Sequence, residues 1–574
     1  MHASIVVIAV PVRAPPTPGT AWRDLNGNGV WDESEPIYST IQGAVTAASA
    51  GETIYVEQGT YTEALYISES LTIRGASKPI IRGSGSFTTN YGPREAVIFV
   101  ENAMVVLENL DIEGEGLGPG KNYGVIYEQS SGTIRDCIVS PNTVGDMVGS
   151  AVGIWDYSNV RVEKSTVRNF GRIGVFYFLG CSGGVYESTI IGQVYGVQGY
   201  VNYGIEVEAY PTMADGACNI EIIGNDIYSC DNTYSPAPTW ISAGIYIDGW
   251  KHYMVTPTST VIVRCNNIHD NYIGIGVAAN PLSSAHFNNI FDNRKYGVVS
   301  DSDWQGNYEP FDALYNWWGY PSGPYHSTNP SGTGNPVSDY VNFDPWLKAL
   351  QFQSSSSSIV PINSPATLTV LLTDNHDLGV QGATIRFSSD PTGLTFTPNP
   401  QTTDINGYAT VTATTGTAGI YLVTATVCGA VSDTWTLVVY DPAGMTAGGG
   451  WYYPLEDDDD PMPGTASFGF VAKYIKGNAQ GNLEFQYHVE DKLNLKSTTI
   501  TWLVVSGSNA QFKGTATLNG VSGYYFRVWA HDGGAVEKDT FSIKIWYGDP
   551  DTDGTLIHSS HNDLAGGNII VRTK

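Results

Sequence analysis

Apolar and polar positions in the front two-thirds of the chain recur in columns. One apolar column runs Leu107, Ile134, Val162, Val185, Ile222, Val263, Ala285, and a second, five residues later, runs Ile112, Val139, Val167, Ile190, Ile227, Ile268, Ile290. Between them lies a mostly small or polar column: Leu110 (the exception), Cys137, Ser165, Ser188, Asn225, Asn266 and Asn288. A glycine-led strand follows at Gly124, Gly153, Gly174, Gly204, Gly244, Gly274 and Gly297, and Thr260–Val277 shows one whole unit. Most columns are spaced by about 22–28 residues, with two longer intervals, the sign of a stacked repeat. Each unit alternates with period 2 and shows no sustained helical period. A unit this small cannot bury its apolar face alone, so neighbours must stack and pair backbone to backbone, which predicts a parallel β-helix.

The pattern changes outside these columns. Thr40–Tyr61 predicts a short amphipathic helix over Ile41–Ala48 that caps the open end, followed by the first coil strand at Thr53–Val56. The serine run Ser354–Ser358 reads as a flexible joint. Beyond it, Ile359–Tyr440 carries short alternating strands with turns every 8–12 residues or so, the pattern of a β-sandwich. Aromatic alternating strands from Phe468 to Tyr547 predict a second sandwich. The expected order is therefore an apolar strand and Pro-rich tether (1–20), a calcium loop (21–36), a capped β-helix (37–350), a Ser-rich linker (351–358), a first sandwich (359–441) and a second (442–574). The fold class is all-β.

The columns resemble the right-handed β-helix repeat family of pectate-lyase-like proteins. Asn316-Trp-Trp-Gly319 and Val341-Asn-Phe-Asp-Pro-Trp346-Leu resemble the terminal segment of many secreted archaeal and bacterial β-helix proteins, where bulky Trp side chains plug the last coil. Ala383-Thr-Ile-Arg-Phe387 and Thr403–Val411 resemble the bacterial immunoglobulin-like modules of invasin-type surface proteins, and the last domain resembles a C-terminal module of secreted microbial proteins. These resemblances imply an exterior role. The β-helix scaffold hosts unrelated activities, so it leaves function open.

Charge narrows the partners. A net charge of −28 with only 28 Lys+Arg argues against nucleic acid or anionic lipid and favours divalent cations. No span approaches the ~20 apolar residues of a membrane helix. Asp24-Leu-Asn26-Gly-Asn28-Gly29-Val30-Trp-Asp32-Glu-Ser-Glu35 matches the calcium loop D-x-[DN]-x-[DN]-G-x5-E. Asp24, Asn26, Asn28 and Asp32 offer side-chain oxygens, Val30 a carbonyl, and Glu35 a bidentate carboxylate. Asp549, Asp551 and Asp553 begin a second such loop, but its last position is Ser560. Of the 6 Cys, Cys137 and Cys265 read as buried thiols, Cys218 and Cys230 flank one coil as a candidate disulfide, and Cys428 has no partner within its module. His2–Arg13 has an apolar core without a basic lead. It reads as a signal remnant or start-site artefact, or as a free strand of the kind that strand donation to a neighbouring subunit needs.

Two long repeats insert loops near Gly199–Ala217, Asp231–Ser242 and Gly249–Ser259, rich in aromatics at Tyr234, Trp240, Trp250, His252 and Tyr253. Every second residue of the glycine-led strands gathers Trp155/Tyr157, Phe176/Phe178, Glu206/Glu208 and Tyr246/Asp248 on successive coils. That face is a candidate glycan groove with acid–base carboxylates, a second ion site, or a solvated acidic patch. The enzyme signatures of related β-helices are missing. The sequence has no GHG turn with an Asp pair, no GQ-D and DFIFG setting, and no acid cluster matching Arg135, Arg161 or Arg168. The Tyr-Gly pairs at Tyr123, Tyr195, Tyr203 and Tyr296 do not lead into Asp-Pro-His. The expectation is an extracellular structural protein, calcium-stabilised, that assembles with copies of itself into a surface layer, sheath or fibre. A polysaccharide-binding or -cleaving protein, or an adhesin, is the alternative.

Overall fold

The computed structural model describes residues 14–573 except 84, 115–121, 143–148, 196–200, 210–215, 233–241, 249–258, 279, 302–307, 458 and 490–491. His2–Arg13 and the aromatic insertion residues Tyr234, Trp240, Trp250, His252 and Tyr253 lie outside them.

From Thr53 to Asp301 each coil contributes one strand to each of three long sheets, ordered coil after coil, and Phe311–Asp312 and Val341–Asn342 extend the first sheet alone. In the coil that begins at Thr260 these strands are Thr260–Arg264, Asn267–His269 and Ile273–Ala278. The pairing between coils is parallel and in register. Leu107 faces Ile134, then Val162, Val185, Ile222, Val263 and Ala285. Ile112 faces Val139, then Val167, Ile190, Ile227, Ile268 and Ile290. Both columns are fully buried in one continuous core that runs from Ala21 to Phe343. The fold is a parallel β-helix.

The polar column between them is a hydrogen-bonded ladder at the corner joining the first two sheets. Asn225 N–H donates to Asn266 Oδ1 at 2.9 Å, Asn266 N–H to Asn288 Oδ1 at 2.9 Å, and Asn288 N–H to Asn316 Oδ1 at 2.9 Å. The side-chain amides continue it, Asn266 Nδ2 donating to both Asn288 Oδ1 and the Ile222 carbonyl. Earlier rungs use hydroxyls: Cys137 N–H donates to Ser165 Oγ and Ser165 N–H to Ser188 Oγ. The ladder thus satisfies backbone groups that a sharp corner would otherwise bury unpaired.

The glycine column needs one correction. Gly153 pairs with Ile126 and Phe176 on the outward side, and the residue in line with Gly124 and Gly174 is Ala151. The glycines have a steric cause at the true positions: a Cβ on Gly174 would come within 2.4 Å of the Gly204 carbonyl oxygen.

The N-terminal end is closed by helix Ile41–Ala47, whose Thr40 side chain accepts from Gly43 N–H, and by strand Ala21–Asp24, which pairs antiparallel with Thr53–Val56. Glu63 accepts the N–H groups of Ile41 and Gln42 at the helix start. At the other end Trp318 is fully buried in the coil core, and Trp346 packs against it.

The chain forms two compact units, Met1–Ala349 with Leu372–Ala383 and Val427–Val431, and Leu350–Leu371 with Thr384–Thr426 and Ser432–Lys574. The first unit therefore includes two segments of the Ig-like module. In the second, residues 366–371 of strand Ala366–Asp374 pair antiparallel with Tyr408–Thr414, which pairs in turn with Thr395–Thr397, and Thr384–Asp390 pairs antiparallel with Gln401–Thr402. The serine run is not a free joint. Ser356 is buried, its Oγ accepts from Thr369 N–H and donates to the Thr369 carbonyl, and Ser357 N–H donates to the Thr367 carbonyl.

The C-terminal domain is one nine-stranded antiparallel sheet in which the last strand, Gly566–Arg572, returns to pair with the first, Met445–Tyr452. Phe468 and Phe541 lie on strands five places apart in that sheet, yet their rings stack at 3.8 Å. The sheet is therefore curled over a single aromatic core, the sandwich-like outcome the alternating strands predict.

Candidate functional site

The outward face of the third sheet carries the predicted carboxylates. Three columns lie there. Ile126, Gly153, Phe176, Glu206, Tyr246 and Gly276 form one, and Glu128, Trp155, Phe178, Glu208, Asp248 and Ala278 the next. Tyr123, Ser150, Ile173, Tyr203 and Ala243 form the third. Glu206 thus sits between Phe176 and Tyr246, and Glu208 between Phe178 and Asp248. Trp155 aligns with Phe178, and Tyr157 stands beyond the strand in a left-handed turn.

Glu206 is 3% exposed, and its Oε1 lies 3.6 Å from an Arg172 guanidinium nitrogen while its Oε2 is buried without a hydrogen bond. Burial raises its carboxyl above the ordinary range, against the pull of Arg172. Glu208 is pushed up to about 8, by burial first and the Glu206 charge second, again opposed by Arg172. Tyr203 and Tyr246 stack beside them with ring centres 4.8 Å apart. Asp248 is 5% exposed. Arg172 and Tyr203 belong to this cluster and escape a reading confined to alternate strand residues, because Arg172 lies in the turn before its strand.

The aromatic half of the predicted groove is not an open strip. Trp155 is buried, edge-on to Tyr123 at 5.0 Å and to Tyr91 at 5.8 Å. Tyr91 belongs to the turn of a hairpin, Gly85–Thr89 with Gly92–Glu101, that packs on this end of the face. A second acidic pair lies beneath that turn. Asn90 N–H donates to both Glu128 oxygens at 3.1 and 3.2 Å, and the Tyr91 hydroxyl and the Asn90 amide both donate to Asp156. Burial pushes Glu128 up to about 7, and the charge of Asp156 adds to that, while the Asn90 N–H opposes it.

The loop from Asp24 to Glu35 is a closed turn between strands Ala21–Asp24 and Ile37–Tyr38. Asp24 accepts from Gly27 and Gly29 N–H, Asn26 Oδ1 from Asn28 N–H, and Asn28 Oδ1 from Val30 N–H. Glu35 folds back on Leu25 and Asp32 N–H, while the Asn26 amide donates to Asp32. Asp24 and Glu35 are 5% and 0% exposed. Gly29 has φ +74°, as the sharp turn of such a loop requires. The donor set is all oxygen and suits a hard divalent cation. Among the described residues, no three His, Cys, Asp or Glu side chains converge as metal ligands, so a fit at this loop draws on Asn26, Asn28 and the Val30 carbonyl as well.

The second acidic turn is a different case. Lys513, 4% exposed as a side chain, places its ammonium 2.6 Å from Asp549 and also against Asp551, which in turn pairs with Arg527 at 3.0 Å. Two of the three charges read as calcium ligands, Asp549 and Asp551, are neutralised by this chain's own cations, while Asp553 accepts from the Thr552 hydroxyl at 3.0 Å. Of the nearby histidines, His558 is buried and held down to about 4 by that burial, and His561 pairs with Asp459.

The cysteines also differ from expectation. Cys218 and Cys230 are separate buried thiols, with Cys218 beside Cys181 of the preceding coil. Cys137 is a buried thiol as predicted. Cys265 is not, because it forms a disulfide with Cys428. Around that bond Arg264 donates to the Gly382 carbonyl, Trp346 N–H donates to Asn375 Oδ1 at 3.0 Å, and Lys348 pairs with Asp377 at 2.7 Å.

Among the described residues, no helix is long and apolar enough to cross a membrane. Residues 363–439 match the family described as bacterial Ig-like domain (group 1), Big_1. Domains 4 and 5 of the S-layer protein SbsC are similar at 20% identity over 17% of this chain and 55% of that one, with TM-score 0.15. The chain thus spans about half of that fragment. A pectin methylesterase from Aspergillus niger is similar at 16% identity over 48% of this chain and 81% of that one, TM-score 0.27. The periplasmic alginate epimerase AlgG is similar at 13% identity over 46% of this chain and 70% of that one, TM-score 0.27. Likeness at these TM-scores carries no argument about activity, and the β-helix stands on its own strand pairings.

Proposed function

We propose that the protein is an extracellular structural component that assembles with copies of itself into a surface layer, sheath or fibre. The observation that carries this reading is the Cys265–Cys428 disulfide, with its surrounding hydrogen bonds and ion pair, which fastens a segment of the Ig-like module to the β-helix. A structural disulfide suits an oxidising, exterior setting, and a cross-linked joint suits a part that transmits load. The apolar segment 1–20 supplies the self-association by strand donation, and head-to-tail donation gives an open filament. Calcium held by Asp24, Asn26, Asn28, Val30, Asp32 and Glu35 stiffens the hairpin that closes the first coil.

Negative-stain microscopy of the purified full chain in calcium tests this. Filaments or sheets are expected, and deletion of residues 1–20 should leave folded, unpolymerised chains. Polymers that survive the deletion would remove the donated strand, and the absence of any polymer would remove the assembly role. Chelation should lower the melting temperature of the β-helix, with Asp24→Ala reproducing the loss. An unchanged melt on chelation would dismiss the ion.

A second reading has its own observation. The buried, unpartnered Oε2 of Glu206 beside a Glu208 carboxyl raised to about 8 is a pairing able to hold and release a proton near neutral pH. In that reading the face is a polysaccharide-cleaving or -binding site. Release of reducing sugar from a polysaccharide panel, lost in Glu208→Gln, is the result that would favour it.

A further inference from the structure

The second compact unit contains a cleft of about 590 Å³ between the Ig-like module and the curled sheet. Its floor is a cross-strand row in which Gln511 faces Trp529, and Trp529 faces Ser542. Their sequence neighbours Phe512, Val528 and Ile543 are buried in the aromatic core, so alternation turns the row outward. Ile420 and Tyr421 of the Ig-like module line the opposite wall, and the Tyr421 hydroxyl is fixed by the Thr417 carbonyl at 3.0 Å. One apolar cluster joins the two walls: Val504 and Trp502 of the sheet pack with Val438, Ala418 and Ile420.

The chemistry of the lining is selective. Among the described residues no Asp, Glu, Lys or Arg lines the cleft, and His531 is its one titratable side chain besides Tyr421. The next row on the same sheet is the ionic set Lys513 and Arg527 with Asp549 and Asp551. A charged ligand entering the cleft would lose water without gaining a counter-charge. The Trp529 indole stacks on no other aromatic ring among the described residues, and the Gln511 amide and Ser542 hydroxyl make no hydrogen bond there. The cleft therefore presents a flat apolar surface flanked by unused neutral donors and acceptors. A pyranose ring has the matching shape, with an apolar C–H face and a rim of hydroxyls.

We propose that this cleft binds a short, uncharged saccharide, with Trp529 as the stacking platform and Gln511 and Ser542 as hydroxyl partners. The site is remote in sequence from the carboxylate face of the β-helix and does not depend on the structural role proposed above.

Calorimetry and tryptophan fluorescence on the full chain, with maltose, cellobiose and diacetylchitobiose as neutral probes and digalacturonate as the acidic one, test this proposal. At least one neutral disaccharide should bind at millimolar concentration and digalacturonate should not. Trp529→Ala should weaken binding by about tenfold or more. Gln511→Ala, which leaves the core untouched, should also weaken it, and Trp546→Ala, on the same sheet outside the cleft, should not. The proposal is overturned if no neutral disaccharide binds, if digalacturonate binds as well as they do, or if binding is unchanged in both Trp529→Ala and Gln511→Ala.

Discussion

The β-helix and the C-terminal curled sheet are both all-β, but they solve the burial of their interiors in opposite ways. The β-helix repeats one solution. The same apolar residue classes stack coil upon coil, and the polar side chains of its corner column close on the rung above or below, as in Asn225–Asn266–Asn288–Asn316. The curled sheet solves burial once. Phe468, Phe470, Phe485, Phe512, Phe526 and Phe541 meet in a single cluster drawn from strands far apart in the sheet. The first arrangement makes stability a sum of neighbour terms, and the second makes it one cooperative quantity.

Phe541→Ala should expose this contrast most strongly. It removes a fully buried ring stacked on Phe468 and should cost about 3–5 kcal/mol. The whole curled sheet should melt earlier as one transition while the β-helix transition stays in place. A loss confined to strands Thr465–Ile475 and Thr540–Tyr547, read by hydrogen exchange, would contradict a single cooperative core.

Asn266→Ala is the matching test in the β-helix. It strands the Asn225 N–H and takes the side-chain donor from the Ile222 carbonyl, which keeps its place in the ladder to the next coil, and should cost about 1–3 kcal/mol from the one buried group left unpaired. Faster exchange should appear in the coils on either side and fade beyond them. Asn266→Ser should recover part of the loss, because Ser165 and Ser188 serve as rungs with hydroxyls alone. Uniform loss of protection from Thr53 to Phe311 would show that the coils do not behave as neighbour-coupled units.

The same contrast explains what the sequence made legible. Both apolar columns of the β-helix were readable residue by residue, since identical coils force identical spacing, and the register follows from it. Gly153 misled because glycine also occurs outward, where the Trp155 ring lies against it; the close-approach position there is filled by Ala151. In the C-terminal domain, alternation revealed the strands, but no local signal says that Gly566–Arg572 returns to Met445–Tyr452. The Cys265–Cys428 bond spans 163 residues and has no spacing rule to betray it. For the candidate site, period 2 puts Glu206, Glu208, Tyr246 and Asp248 on one face, and the strand register sets them in two adjacent columns. Arg172 was missed because a turn residue has no column, and Lys513 because its acids lie 36 and 38 residues away.

A last contrast divides the two regions by pH. Glu208 rises from an ordinary 4.5 to about 8 and Glu128 from 4.5 to about 7, so the folded β-helix holds more protons than the unfolded chain between those values. The contribution of these groups is at its full value below 4.5 and declines as pH rises toward 7 and 8. His558 moves the other way, from 6.5 down to about 4, because the curled sheet buries it neutral. Its contribution is present above 6.5 and is lost as pH falls toward 4. Between about pH 5 and 6.5 the two melting transitions should therefore shift in opposite senses with pH. The double substitution Glu128→Gln with Glu208→Gln should flatten the β-helix trend and His558→Gln that of the curled sheet, each without touching the other. Transitions that move together in the parent, and slopes that survive both substitutions, would mean that the general acidity of the chain, not these buried groups, sets its response to pH.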